Sequence, residues 1–151
     1  MSRDASSSII FTGEFRHGID PKNRVTIPSA WRSGEGADFY LKIDSTGSCI
    51  VAFPPEEFRA TLAKVDELPG ISARERRLFI RQFSAESQAC SADKAGRMVL
   101  PPDLCAKIGL KGEAMLVGVN RCFEIWNPDG WTDTKTVNTP IYQNVASQLG
   151  L

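Results

Sequence analysis

The chain has 151 residues, 42% hydrophobic and 24% charged, the balance of a globular protein with room for one domain or two very small ones. Its 18 basic and 18 acidic residues cancel, so any nucleic-acid contact must come from a local cationic patch rather than from an overall positive field. No stretch approaches the ~20 apolar residues that span a bilayer, and the polar start Met1 to Ser8 lacks the apolar run of a secretory signal, so the expected location is the cytoplasm.

Met1 to Ser8 is expected to be a flexible N-terminus. Ile9 to Phe15 has the character of a strand, and Val25-Thr26-Ile27-Pro28 alternates with period two, which puts Asp20 to Arg24 in the turn between two strands. Pro28 to Arg32 predicts a short helical turn closed by Gly34 and Gly36. Phe39 to Ile43 and Cys49 to Phe53 predict a strand pair around Ser45-Thr46-Gly47-Ser48. Pro55 suits a first helical position, with Glu56 and Glu57 favouring the positive end of the helix dipole, and that helix should stop near Leu68-Pro69-Gly70. Ser72-Ala73-Arg74-Glu75 fits a capping box opening a linker helix through Leu78, Phe79, Ile80 and Phe83.

The rest of the chain repeats what came before. Asp20-Pro21-Lys22-Asn23-Arg24-Val25-Thr26-Ile27-Pro28 returns 73 residues later as Asp93-Lys94-Ala95-Gly96-Arg97-Met98-Val99-Leu100-Pro101, and the same shift carries Cys49 to Pro55 onto Cys122 to Pro128. Pro101 to Lys107, closed by Gly109, matches the first helical turn. Ala114 to Val119 and Cys122 to Trp126 match the strand pair, and Asn127-Pro128-Asp129 matches the helix start. The parts are therefore a first repeat over 9–70, a linker helix over 71–83 and a second repeat over 84–131. Residues 132–151, polar and β-branched up to Pro140, read as a mobile tail with a short helix toward Leu151. A unit of about 50 residues is too small to bury a large core alone, so the copies should pack together or against neighbouring subunits.

An aspartate opening a tight turn accepts hydrogen bonds from backbone N–H groups a few residues on, so Asp20 and Asp93 read as loop-shaping residues. Asn23 and Gly96 are the residue types that tolerate a left-handed backbone there. The arginines four residues later, Arg24 and Arg97, have two options. Each can fold back onto the aspartate, a surface pair contributing ~0–1 kcal/mol, or project a planar fork toward phosphate oxygens or the O6/N7 edge of guanine. Lys22 and Lys94 lie beside them.

Arg74, Arg76, Arg77 and Arg81 form the one dense basic run, which reads as a solvated or subunit-contacting helix face. His17 reads as a surface or turn histidine, and Trp31, Trp126 and Trp131 as core anchors. Cys49 and Cys122 read as small core residues. With Cys90 and Cys105 they form no C-x-x-C pair, so reduced thiols are expected rather than disulfides or a zinc site. The sequence holds no phosphate-cradling loop, dinucleotide fingerprint or nucleophile elbow, and one histidine cannot supply repeated metal ligation. No catalytic residue, metal, cofactor or small-molecule substrate is expected.

Two β-rich copies, each with D-x-x-x-R followed by alternating apolar residues and a proline, resemble the bacterial MraZ family. The resemblance is carried by Phe11-Thr12-Gly13-Glu14-Phe15, by the two loops and by Asn120-Arg121-Cys122-Phe123-Glu124-Ile125-Trp126, over about residues 9 to 131. It implies a mainly β fold with short helices (α+β), in which two tandem AbrB-like swapped-hairpin repeats form a pseudo-twofold β-barrel. It also implies assembly into a closed homo-oligomeric ring of several subunits in the cytoplasm and nucleoid. The implied activity is sequence-specific binding of double-stranded promoter DNA at short direct repeats before the division and cell-wall gene cluster, usually with repression. Carried onto this chain, the DNA-contacting residues would be Arg24 and Arg97, with Lys22 and Lys94 beside them. Two departures stand out: Asn23 replaces the family's usual glycine, and Lys22 has Ala95 as its counterpart because Lys94 directly follows the aspartate. The competing expectation is a ring-forming scaffold or partner-binding module in which the Asp–Arg turns only stabilise hairpins.

Overall fold

The computed structural model describes residues 9–33 and 36–151; the N-terminus expected to be flexible and the Gly34 closure lie outside the described residues. Among the described residues there are eight strands: β1 (Glu14–Gly18), β2 (Arg24–Thr26), β3 (Ala37–Ile43), β4 (Ile50–Phe53), β5 (Gln88–Ala92), β6 (Arg97–Val99), β7 (Glu113–Gly118) and β8 (Phe123–Trp126). They form one antiparallel sheet in the order β1-β7-β8-β4-β3-β5-β6-β2, and β1 lies against β2, nearly closing it into a barrel.

The strand order shows the duplication directly. Each strand of the first copy has an equivalent in the second, β1 with β5 through β4 with β8, and exchanging the copies leaves the cyclic order unchanged. The pairing crosses between copies. Glu14 faces Val117, Val25 faces Met98, Phe39 faces Cys90 and Ile50 faces Ile125. The Asp20–Arg24 loop thus joins two strands whose ladder partners both belong to the other copy. Neither copy can complete its backbone hydrogen bonds alone, which is why the 50-residue units fold as one barrel.

Alternation fills the interior. Val25, Ile27, Met98 and Leu100 are fully buried, while Thr26, Arg97 and Val99 between them face solvent. At the centre Trp31 stacks on Phe123 with ring centroids 4.9 Å apart, and Phe39 meets Phe123 edge-on at 5.0 Å. Phe11 closes the cluster 5.6 Å from Trp31. Rings held edge-to-face and offset in this way add to the ~1.5–3 kcal/mol that burying each large apolar side chain contributes.

Several expectations are refined. The first strand begins at Glu14 and not at Ile9, because Gly13 at φ +96° interrupts the extended run; Phe11 makes an isolated bridge to Asn120 instead. The first helical turn is a 3-10 turn, Ser29–Trp31, and its equivalent is an α-helix, α1 here being Pro55–Ala63, α2 Ala73–Ala85 and α3 Pro102–Lys107. The capping box of α2 is present, Glu75 N donating to Ser72 Oγ at 3.0 Å and Ser72 N to Glu75 Oε1 at 2.8 Å.

Of residues 132–151, read as a mobile tail with a short helix toward Leu151, those up to Gln148 continue a 21-residue helix, α4 (Pro128–Gln148). Asn127 caps it through Oδ1, which accepts from the Asp129 and Gly130 N–H groups. Thr132 and Thr139 donate their hydroxyls to the carbonyls of Pro128 and Lys135, so β-branched polar residues stay helical by bonding back one turn. Trp126 is buried as expected, whereas Trp131 is only half-buried and donates Nε1 to Glu14 at 3.2 Å. Cys49 is fully buried, Cys122 half-buried, and all four cysteines are free thiols. His17 lies within β1 opposite Ala114, so it is neither in a turn nor part of any metal-binding cluster among the described residues.

Candidate nucleic-acid interface

The two D-x-x-x-R loops have one geometry. In the first, Asp20 Oδ1 accepts from the N–H groups of Lys22 (2.9 Å) and Arg24 (2.8 Å). In the second, Asp93 Oδ1 accepts from Ala95 and Arg97, both at 2.9 Å. The main chain closes each turn again, Asn23 N donating to Asp20 O and Gly96 N to Asp93 O, both at 2.9 Å. The Arg24 N–H bond is the leading reason that the Asp20 carboxyl titrates below its usual range, and the Arg97 N–H does the same for Asp93. Each loop is therefore built around an ionised aspartate.

The left-handed residues fall where the sequence placed them, Asn23 at φ +62° and Gly96 at φ +86°. Their carbonyls do something the sequence did not reveal. Asn23 O accepts from Leu100 N at 2.8 Å, and Gly96 O accepts from Ile27 N at 2.7 Å. Each loop is thereby fastened to the strand end of the other copy, and Ile27 and Leu100 are themselves repeat equivalents.

Both arginines fold onto their aspartates. Arg24 Nε donates to Asp20 Oδ2 at 2.7 Å, and Arg97 Nε donates to Asp93 Oδ2 at 3.2 Å, with Arg97 Nη2 3.1 Å away. Of the two options left open by the sequence, both arginines take the fold-back onto the aspartate. The aspartate holds the Nε side of Arg24, and its Nη1 and Nη2 have no hydrogen bond among the described residues. An arginine clamped by Nε presents a pre-oriented terminal fork.

Register decides where the forks lie. Arg24 faces Val99 and Arg97 faces Thr26 across the β2–β6 ladder, with inward-facing Val25 and Met98 between. Arg24 and Arg97 therefore stand diagonally on the same outward face, their Cα atoms about 8 Å apart from strand rise and spacing. Lys22 and Lys94 are exposed on the loops at either end and pair with no carboxylate among the described residues. On α2, Arg76 pairs with Asp66 at 3.0 Å, while Arg74, Arg77 and Arg81 stay exposed on a helix separate from this ladder.

The MraZ protein family model, whose description adds an antitoxin-like character, matches residues 10–81 and again 83–138, one match for each copy. The chain belongs to the MraZ family. A protein of Pelotomaculum thermopropionicum named Transcriptional regulator MraZ is 36% identical over 140 residues, which is 93% of this chain and 95% of that relative. Its namesake in Lactiplantibacillus plantarum is 33% identical over 93% of this chain and 98% of its own length. That in Symbiobacterium thermophilum is 34% identical over 91% and 99%. MraZ proteins are thus classed as transcriptional regulators and not as enzymes.

Proposed function

We propose that this protein regulates transcription by binding double-stranded promoter DNA sequence-specifically through its two D-x-x-x-R loops. The observation that carries the proposal is the pair of aspartate-clamped arginines on one outward face of the β2–β6 ladder, flanked by Lys22 and Lys94. The terminal fork of Arg24 suits a guanine O6/N7 edge or a phosphate, the exposed lysines suit phosphates, and the buried ladder beneath holds both in place. By family resemblance the target is a set of short direct repeats before the division and cell-wall gene cluster, the effect is repression, and the place of action is the cytoplasm and nucleoid.

One chain offers a small patch, so affinity is proposed to come from several chains in a closed homo-oligomeric ring. Large apolar residues left exposed on two helices support assembly: Leu78, Phe79 and Ile80 on α2, and Val137, Ile141, Tyr142 and Val145 on α4. Among the described residues no helix is long and apolar enough to cross a membrane.

Binding of the purified protein to promoter and scrambled duplexes at two salt concentrations tests this reading. Promoter-selective binding should weaken steeply with salt, and Arg24→Ala and Arg97→Ala should each reduce it while the assembled mass stays unchanged. The scaffold reading is favoured by the engagement of both arginines with aspartates and by the exposed helix faces. Under it, Arg24→Ala changes stability slightly and DNA binding not at all.

A further inference from the structure

The two loops are equivalent in backbone but not in what covers them. Ile27 O and Leu100 O are repeat equivalents, and a side-chain N–H caps each. Leu100 O accepts from Asn23 Nδ2 at 2.6 Å, and Ile27 O accepts from Arg32 Nε at 3.0 Å. The equivalents of those two donors are Gly96, which has no side-chain donor, and Cys105, whose thiol is at most a weak one and here lies 3.8 Å from Asn23 Nδ2. In the first loop the loop residue supplies the cap and reaches Cys105 Sγ at 3.8 Å. In the second loop the loop residue is a glycine and the cap comes from outside it.

Space at Gly96 shows how close Arg32 lies. A Cβ added there would stand 2.6 Å from Arg32 Cζ and 2.9 Å from Nε and Nη2, so the guanidinium is seated against the left-handed glycine of the second loop. Gly96 is followed directly by Arg97, and the two residues before it are Lys94 and Ala95. Arg32 is half-buried, and among the described residues it pairs with no carboxylate. The exchange of Asn23 with Cys105 for Gly96 with Arg32 keeps both carbonyls capped, yet gives the second loop a fixed extra cation where the first has a neutral amide.

We propose that Arg32 is a third DNA-contacting cation of the second loop, held by Ile27 O through Nε and offering its terminal nitrogens to a backbone phosphate. The two loops of one chain are then unequal: the Arg97 loop grips the DNA backbone through Lys94, Arg97 and Arg32, the Arg24 loop through Lys22 and Arg24 alone. The inference rests on the reading that these loops bind DNA. Because a phosphate contact is blind to sequence, Arg32 adds affinity on promoter and scrambled duplexes alike.

The test is a salt series of fluorescence-anisotropy titrations with full-length protein on the promoter duplex and its scrambled counterpart. Arg32→Gln places an amide nitrogen where Nε stood, keeping the cap on Ile27 O and removing the charge. The slope of log K against log salt should shrink by about 0.9 for each Arg32 that meets a phosphate, equally on both duplexes. A double variant, R32C with G96N, rebuilds the first loop's arrangement in the second and should show the same reduced slope. It decides the matter if Arg32→Gln fails to fold. A wild-type slope in a folded variant overturns the role of Arg32, and if Arg24→Ala loses binding in that same series the loop reading stands without it. Absence of salt-dependent binding by the wild type sinks both together.

Discussion

Replacing Asn23 by glycine gives the first loop the residue that Gly96 supplies at the equivalent place in the second, and the geometry predicts that the change destabilises this chain. Glycine fits φ +62° at least as well as asparagine, so backbone relief favours the variant by at most about 1 kcal/mol. Against that stands the 2.6 Å bond from Asn23 Nδ2 to Leu100 O, at a residue with no solvent exposure. Leaving a buried acceptor without its partner costs about 1–3 kcal/mol, and from the midpoint of about 2 the net loss is about 1–2 kcal/mol. Asn23→Ala loses the same bond and keeps a Cβ in the left-handed region, adding about 1–2 kcal/mol for a total of about 2–4. For a chain of this size those losses lower Tm by about 2–8 °C for glycine and about 4–16 °C for alanine. Thermal melts at one fixed protein concentration, which matters for an assembling protein, should rank wild type above Asn23→Gly above Asn23→Ala. An Asn23→Gly variant melting at or above wild type would refute the capping role assigned to the side chain.

Phe123→Ala removes the ring that Trp31 and Phe39 pack against and should cost about 3–5 kcal/mol, read by urea denaturation. Asp20 and Asp93 titrate below the ordinary aspartate value of 3.8, so their contribution to stability is complete above that pH and is lost as pH falls beneath it. A doubly substituted Asp20→Asn, Asp93→Asn protein should show a weaker acid dependence in that window, followed by circular dichroism. Burial pushes the Cys122 thiol up to about 11 and Cys49 higher still. Iodoacetamide at pH 8 should therefore label both slowly until denaturant is added, as mass spectrometry would show. Ile141→Glu with Val145→Glu should lower the assembled mass in light scattering while the circular dichroism spectrum of the barrel stays native, since neither side chain enters the core.

The sequence by itself determined what depends on a few neighbouring residues. The Asp-to-backbone turn, the left-handed Asn23 and Gly96, the capping box at Ser72 and Glu75 and the inward alternation of Val25 and Ile27 are all local, and all are present. The repeat offset also located equivalent loops and strands. Three features needed the tertiary structure. Strand pairing crosses between copies because β1 and β2 take their partners from β7 and β6, a choice made by long-range hydrogen bonding and not by turn chemistry. The helix Pro128–Gln148 has weak helical propensity; it is supported by the Asn127 cap, threonine back-bonding and contacts of Trp131 and Lys135 with Glu14 more than a hundred residues away. The seat of Arg32 was not legible in sequence because it is made by two residues that Arg32 does not adjoin, Ile27 and Gly96. Local backbone preferences are written residue by residue, whereas the identity of a partner across a closed barrel is fixed only when burial and hydrogen bonding are satisfied for both copies at once.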